Sequence, residues 1–505
     1  MTKNSLWIRA LLVIAVVIAA NVLFNRLFFR LDFTGDQQYT LSNPTKTILK
    51  ELEEPVTIDA YFSEDLGNKQ LDKVKEDFKN LLEEYNRRSN GKVNYKFVNP
   101  NESEEGEQEA QQAGIQPVQI RMRERDQFVQ ARGYLGAVIN YGNRKEVLPF
   151  IQQGAAMEYA LSSSIKKVSD ENKPKVAYAT GHGEPSVSAI NQVANVLSVL
   201  YQMVAVDLDT ASVENYAGLT IVAPKDSFNT NELAKIDQFL EKGKSVYVAI
   251  NRVGDDVQSG QGASITTGLE TWLAGKGVNV ENDYVIDEKC GSVTVQQQTG
   301  FFVMNRPIQF PFLPIIQNFA DHPVTRGLEQ TVLRFASSLS FNPPNENIKI
   351  TPLAFTSSRS GTVPAPAFFD INKQWNRNDF PTSKIPVAAA IEGKLVGELE
   401  SKMVVIGDGD FAVNGEGQQA QQVNPDAISL MANAIEWLMG DGGLNELRTK
   451  QITSRPINKE LSDNQRNLVK WGNFGLPLLL LIIYGFVRSA LRRSKKNKWK
   501  AENYG

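Results

Sequence analysis

The sequence is poor in the side chains that do most protein chemistry. In 505 residues there is one cysteine, Cys290, and two histidines, His182 and His322. A single cysteine excludes an intramolecular disulfide and a thiolate metal cluster. Its distance from the start of the chain excludes an acylated cysteine anchor there. Two histidines exclude a histidine-rich metal site. Charge of one sign is scarce as well: the formal net charge is -3, which argues against a nucleic-acid binder. The phosphate-binding pattern GxxxxGK[ST] is absent, and no glycine-rich dinucleotide fingerprint follows an early strand. GxSxG is missing too, and Cys290 has no identifiable base partner. No cofactor is implied by any of these patterns.

What the chain does have is length, an ordinary globular balance and two long apolar runs. Hydrophobic residues make up 42% and charged residues 22%, enough for two or three domains with proper cores. The first run, Leu11 to Phe29, is near the length that spans a bilayer, although Asn21, Asn25 and Arg26 interrupt its second half. Bulky residues follow it, with no small-residue cleavage pattern, so an uncleaved anchor over 10–29 is expected rather than a signal peptide. The second run, Trp471 to Val487, stands just before a basic segment containing Arg488, Arg492, Arg493, Lys495, Lys496, Lys498 and Lys500. The positive-inside rule makes that segment cytoplasmic. Two spans then give a two-pass protein of the cell inner membrane, with both termini cytoplasmic and the intervening region periplasmic.

Between the runs, hydrophobic periodicity switches repeatedly between two and 3.6 residues. Ser42 before Asn43-Pro44 reads as a helix cap, with a helix to Leu52. Val56 to Phe62 and Val93 to Val98 read as strands around a helix over Leu71 to Arg87. Asn101 to Gly114 is acidic and reads as a solvated helix or loop. Tyr134 to Tyr141 and Glu146 to Phe150 read as a hairpin about Gly142-Asn143, and Gly154 to Val168 as a helix. The boundary falls at Asp170 to Pro174. Beyond it, strands at Lys175 to Thr180, Val204 to Leu208, Leu219 to Ala223 and Ser245 to Ile250 alternate with helices at Ser188 to Tyr201 and Asn231 to Lys242. That alternation predicts a mostly parallel, Rossmann-like sheet. A less regular insertion, about 251–400, contains a polar loop over Asp255 to Gly262, a helix over Ile265 to Lys276 and ill-defined β structure over Val293 to Phe310. The α/β pattern resumes with a strand at Lys402 to Gly407 and a helix at Pro425 to Met439. The expected order is a cytoplasmic 1–9, a span at 10–29, a small α/β domain at 30–170, a Rossmann-like domain at 171–447, a connector at 448–470, a span at 471–487 and a basic tail at 488–505.

Two loops carry candidate functional residues. His182 and Glu184, in Gly181-His182-Gly183-Glu184, follow a predicted strand, and open α/β sheets bind ligands beyond the carboxyl ends of their strands. An imidazole beside a carboxylate there could act in acid–base chemistry, or the turn could simply hold a locally packed histidine. Asp408 and Asp410 also follow a strand. Paired carboxylates could hold a divalent cation, or they could cap backbone amides of the loop. No residue is assigned as catalytic, cofactor-binding or metal-binding.

Several stretches carry a family resemblance when taken in order. They are Arg30-Leu-Asp-Phe-Thr-Gly-Asp to Thr45, Gly181 to Pro185, Ile221 to Asp226, Val405 to Phe411, and Ser454-Arg-Pro-Ile-Asn-Lys-Glu with Trp471 to Leu480. Together they resemble the GldG family, the auxiliary or so-called substrate-binding subunit of gliding-associated ABC transporters, over essentially the whole chain. The resemblance implies a complex with a membrane permease and a cytoplasmic ATPase, association with gliding motility and linked secretion in some members, and a glutamine-amidotransferase-like or Rossmann-like module. Enzymes with that module use a cysteine and a histidine; Cys290 does not follow a suitable early strand, so no catalytic residue is carried over. The expectation is a non-enzymatic transporter subunit that contacts permease, ATPase, lipid and other envelope or motility proteins, but not nucleic acid. A membrane-tethered envelope enzyme and a structural linker without a transport role are the alternatives.

Overall fold

The computed structural model describes residues 40–440, apart from 65–68, 125–126, 152–155, 171, 257–259 and 300–301, and residues 463–502. Two compact units divide after Ile452.

The first unit begins with a helix, α1 (Asn43–Glu51), whose N-cap is Ser42 and whose first turn contains Pro44. A small sheet follows, built from β1 (Val56–Phe62), β2 (Val93–Val98), β3 (Leu135–Tyr141) and β4 (Arg144–Leu148) in the order β2-β1-β3-β4. Helix α2 (Lys69–Arg88) crosses from β1 to the parallel β2. β3 and β4 form the expected hairpin. The acidic stretch is a short helix, α3 (Glu104–Gln112), capped by Ser103. Helix α4 (Ala156–Ser169) closes this part.

A buried polar cluster fixes where the described chain enters. The Glu158 carboxylate accepts from Ser42 N at 2.7 Å and from Thr45 Oγ1 at 2.8 Å. Ser162 Oγ lies 2.8 Å from Thr45 Oγ1 and 2.6 Å from the Tyr85 hydroxyl. Burial and the neighbouring Glu158 push the Tyr85 phenol far above its ordinary range. Polar groups this deep are tolerated because their hydrogen bonds are made.

The larger sheet has eight strands: β5 (Lys175–Thr180), β6 (Gln202–Asp207), β7 (Gly218–Val222), β8 (Ser245–Ala249), β9 (Asn318–Phe319), β10 (Ile348–Phe355), β11 (Pro386–Gly393) and β12 (Ser401–Ile406). Their order is β9-β10-β11-β12-β8-β7-β5-β6. The five from β6 to β12 along one half are mutually parallel; β11, β10 and β9 add antiparallel. Every residue of β7 and β8 is buried, as near-continuous apolar strands covered on both faces require. Alternate residues divide between two cores. Tyr178, Val222, Tyr247, Val404 and Ile406 face helices α5 (Asn191–Leu197) and α8 (Pro425–Leu438), in a cluster that continues into the small sheet. Ala177, Ile221, Val248 and Val405 face α6 (Thr230–Glu241) and α7 (Leu269–Gly275). This is a mixed α/β, doubly wound arrangement.

Several sequence expectations need adjustment. The helix expected over Ser188 to Tyr201 is a 3-10 turn, Val187–Ile190, followed by the short α5, because Ile190 leaves helical geometry at φ -116° and ψ 35°. The helix expected from Ile265 starts only at Leu269, after Gly268 in the left-handed region. The polar loop expected near 255–262 contains paired strands, Val253–Asp256 with Gln261–Ser264. The ill-defined β region is one long hairpin, Cys290–Thr299 with Phe302–Ile316. A separate aromatic core of Tyr284, Phe310, Phe312, Phe335, Phe369 and Phe380 supports this insertion.

The second unit contains α9 (Asp463–Glu502), a single helix of 40 residues. The two-pass membrane topology expected from the sequence is corrected here. Among the described residues, one helix is long and apolar enough to cross a membrane, at Asn464–Ser494. The other expected span, 10–29, lies outside the described residues, and Asn21, Asn25 and Arg26 interrupt its apolar run. With one such helix the placement of both termini on one side no longer follows.

Candidate functional site

The parallel strands run β6-β5-β7-β8-β12 across the sheet. In chain order that is second, first, third, fourth, fifth, with the direction of winding reversing between β5 and β7. Such a reversal splays the loops beyond the carboxyl ends of the two strands and creates the usual ligand crevice of this architecture. His182 lies there, at the end of β5, as the sequence suggested.

The crevice is filled by the chain itself. The His182 carbonyl accepts hydrogen bonds from Lys225 N at 2.7 Å and Asp226 N at 2.9 Å, which ties the loop after β5 to the loop after β7. The backbone N–H of His182 donates to Glu184 Oε2 at 2.7 Å. Its ring is 5% exposed and stacks on Phe228, with centroids 3.8 Å apart and planes 10° from parallel. Nε2 is 3.1 Å from Glu232 Oε1, and Nδ1 is 3.3 Å from Glu184 Oε1. The second approach makes no hydrogen bond. Both carboxylates are buried. Glu232 also closes the capping box of α6, its Oε2 accepting from Asn229 N at 2.7 Å. One imidazole therefore sits between two buried carboxylates, with an aromatic ring on its face and none of its nitrogens directed to solvent. This arrangement locks two loops and a helix start; it leaves no approach for a substrate to the imidazole.

The second pair is similarly engaged. Asp408 is fully buried, with Oδ2 accepting from Arg334 N at 2.6 Å and Oδ1 from Asp410 N at 2.8 Å. Loss of hydration, reinforced by the neighbouring Asp410, raises its carboxyl to about 7. Asp410 Oδ2 accepts from the Asn251 amide at 2.8 Å, and Asn251 Oδ1 accepts from Gly409 N at 2.7 Å. Gly409 lies so close to the β7 loop that a Cβ would come within 2.6 Å of Ala223 Cα. Ala223 itself adopts φ +46°, a conformation non-glycine residues rarely take. Nearby, the Tyr247 hydroxyl is buried without a partner, and burial beside Asp408 holds its phenol well above the ordinary range. Asp408 thus caps the backbone amides of Arg334 and Asp410, Asp410 holds the Asn251 side chain, and among the described residues no group of three potential metal ligands converges.

Sequence reasoning brought His182 with Glu184, and Asp408 with Asp410, to the correct edge of the sheet. It missed Glu232, Phe228 and Asn251. Asn229-Thr-Asn-Glu232 is legible as a capping box, but nothing in it reveals that the glutamate's other oxygen reaches His182. Open space lies elsewhere. A cleft of about 730 Å³ is lined by Glu51, Glu54, Arg144, Lys166 and Asp170, and another of about 530 Å³ by Lys173, Lys175, Asn195 and Gln202. Both adjoin Asn172, where the small and large sheets are joined, and neither touches the His182 or Asp408 clusters.

The chain is similar to an uncharacterized protein of Borreliella burgdorferi, 23% identical over 494 residues, which is 92% of this chain and 94% of the other. Among solved structures it is similar to the mmIFT52 N-terminal domain, at 14% identity and a TM-score of 0.36, covering 52% of this chain and 96% of that one. It is also similar to a ThuA-like protein from Parabacteroides merdae, at 11% identity and a TM-score of 0.31, covering 57% and 94%. Residues 35–140 match a domain of unknown function. Residues 173–440, which hold the whole eight-stranded sheet with both loop clusters, match the family described as an ABC-type uncharacterized transport system, and the chain belongs to that ABC-transport auxiliary, GldG-like family.

Proposed function

We propose that this protein is a non-enzymatic subunit of an ABC transport complex, joined to a membrane permease and to an ATPase that supplies the energy. The family match over 173–440 carries this reading. The filled crevice supports it: His182, Glu184 and Glu232 are spent on holding loops, and the chain carries no P-loop pattern. Residues 30–170 and 171–447 act in this reading as two domains, with their recognition surface at the junction around Asn172 rather than at the strand ends. A role in gliding motility follows from the GldG resemblance. The test is affinity purification of the intact protein from native membranes in mild detergent, followed by mass spectrometry. A permease and ATPase recovered in stable proportion are expected. Recovery of neither, from folded full-length protein, would reject the transporter-subunit role and bring forward the envelope-enzyme and linker readings.

A further inference from the structure

The two edges of the eight-stranded sheet are built differently. At one, β10 is interrupted by register shifts, carries Lys349 and Pro352, and is covered over part of its length by the two-residue β9. Such features keep an open edge from pairing with another chain. The other edge is β6, Gln202-Met-Val-Ala-Val-Asp207, and it has none of them. It pairs with β5 in unbroken register along its whole length and contains no proline, lysine or arginine. Among the described residues no strand lies on its outer side, and Ala205 in its middle is exposed.

The direction of its free backbone groups follows from one hydrogen bond. Gln202 N donates to Pro174 O at 3.0 Å, so Gln202, Val204 and Val206 turn their N–H and C=O groups inward to β5. Alternation then points those of Met203, Ala205 and Asp207 outward. An antiparallel strand centred on Ala205 satisfies all three. For a second copy of this chain, related by a two-fold axis perpendicular to the sheet, Ala205 faces Ala205, Met203 faces Asp207 and Val204 faces Val206. That register gives about six backbone hydrogen bonds, and it sets no like charges directly opposite one another.

Charge favours a second copy in this orientation. The cleft of about 530 Å³ at the start of β6 is lined by Lys173, Lys175, Tyr201 and Met203. Asp207 and Asp209 stand at the other end of the strand, and Lys175 and Asp209 are both exposed. Antiparallel pairing brings the Asp207-to-Asp209 turn of the second copy against Met203 and Tyr201, at the mouth of the lysine cleft. The two-fold axis repeats that contact at the opposite end. Parallel pairing would instead set the lysines of both copies together.

We propose that β6 is a self-association edge. Two copies pair antiparallel through Gln202–Asp207, each presenting Asp207 and Asp209 to the lysine cleft of the other, and the two large sheets become one. A six-residue edge is a small contact against the ~1,200–2,000 Å² of a stable interface. The pairing therefore belongs to copies held at high local concentration in one membrane. It does not depend on a permease or an ATPase.

Disulfide trapping of the full-length protein in native membranes tests this. With Cys290 replaced by Ser, Ala205→Cys leaves a single thiol. In the register above the two Ala205 Cα atoms lie ~5.5 Å apart, within the roughly 4.4–6.8 Å that a disulfide spans. Mild oxidation should give dimers of twice the chain mass, and roughly tenfold fewer with Asn231→Cys, which is exposed on the first turn of α6. K175E reverses the charge at both symmetry-related contacts and should lower the A205C yield about fivefold. K175E/D209K should restore most of it, which a folding defect would not allow. A yield at A205C no higher than at N231C, or adducts of A205C with other proteins in place of dimers, would overturn the proposal. So would a yield indifferent to both charge changes. Dimers trapped in membranes from which neither permease nor ATPase co-purifies would keep the pairing and reject the transporter role; both subunits recovered with no dimer would do the reverse.

Discussion

His182 is held from several directions: its ring nitrogens lie beside the buried Glu184 and Glu232 carboxyl groups, its face stacks on Phe228, and its carbonyl accepts from Lys225 and Asp226. Replacing His182 by Ala leaves two buried carboxylates without their shared partner. A loss of about 1–3 kcal/mol in urea unfolding is expected; no loss would show that the carboxyl groups find water and that the cluster is not the lock described. Asp408 gives a pH signature of the opposite kind. Its folded carboxyl titrates near 7, well above the unfolded value near 3.8. Between those values the unfolded chain gives up the proton that the folded one keeps, so this group's contribution falls as pH rises from about 4 to about 7 and is level beyond. The full span is on the order of 4 kcal/mol. Asp408→Asn should flatten that slope in pH-dependent unfolding, whatever it does to absolute stability; an unchanged slope would assign the titration elsewhere. The candidate residues were legible from sequence because glycines and strand ends mark loops. Their partners were not, because Glu232 and Asn251 come from other strands and helices, and burial cannot be read from a loop sequence.

At the scale of elements, capping and alternation decide most boundaries. Helix α6 starts where Asn229 caps it and Glu232 answers, so Asn229→Ala should cost about 1 kcal/mol in thermal or urea unfolding. Glu158→Ala is expected to act more locally. It removes the acceptor for Ser42 N and Thr45 Oγ1, and hydrogen exchange should accelerate over α1 well before the eight-stranded sheet responds. Uniform acceleration across both sheets would mean that the cluster supports the whole unit rather than the chain's entry. Strands β5, β7, β8 and β12 were readable as apolar runs. The long hairpin at 290–316 was not, since its glutamines and prolines mute the alternation.

For the whole molecule, the important contrast is between a densely packed α/β unit and a helix whose apolar residues are exposed. Leu476, Leu479, Leu480, Leu481 and Ile482 of α9 are all more than half exposed, which in water is an unsatisfied hydrophobic surface. Replacing Leu480 and Leu481 by Arg should disfavour insertion by about 6–8 kcal/mol on the translocon scale. The variant should move to the soluble or aggregated fraction on carbonate extraction. Full retention in the membrane would show that other segments hold the chain there.

Composition and periodicity alone determined the parallel strands of the larger sheet and the apolar run in α9. These depend on neighbours in sequence or on patterns repeated along one element. Tertiary structure decided that the crevice at β5 and β7 is occupied by His182, that Asp408 caps the amides of Arg334 and Asp410, and that two open clefts adjoin Asn172. Those outcomes depend on groups far apart in the chain, such as His182 with Glu232 and Asp408 with Arg334, and only their meeting in a low-dielectric interior fixes which hydrogen bonds and charges each one keeps.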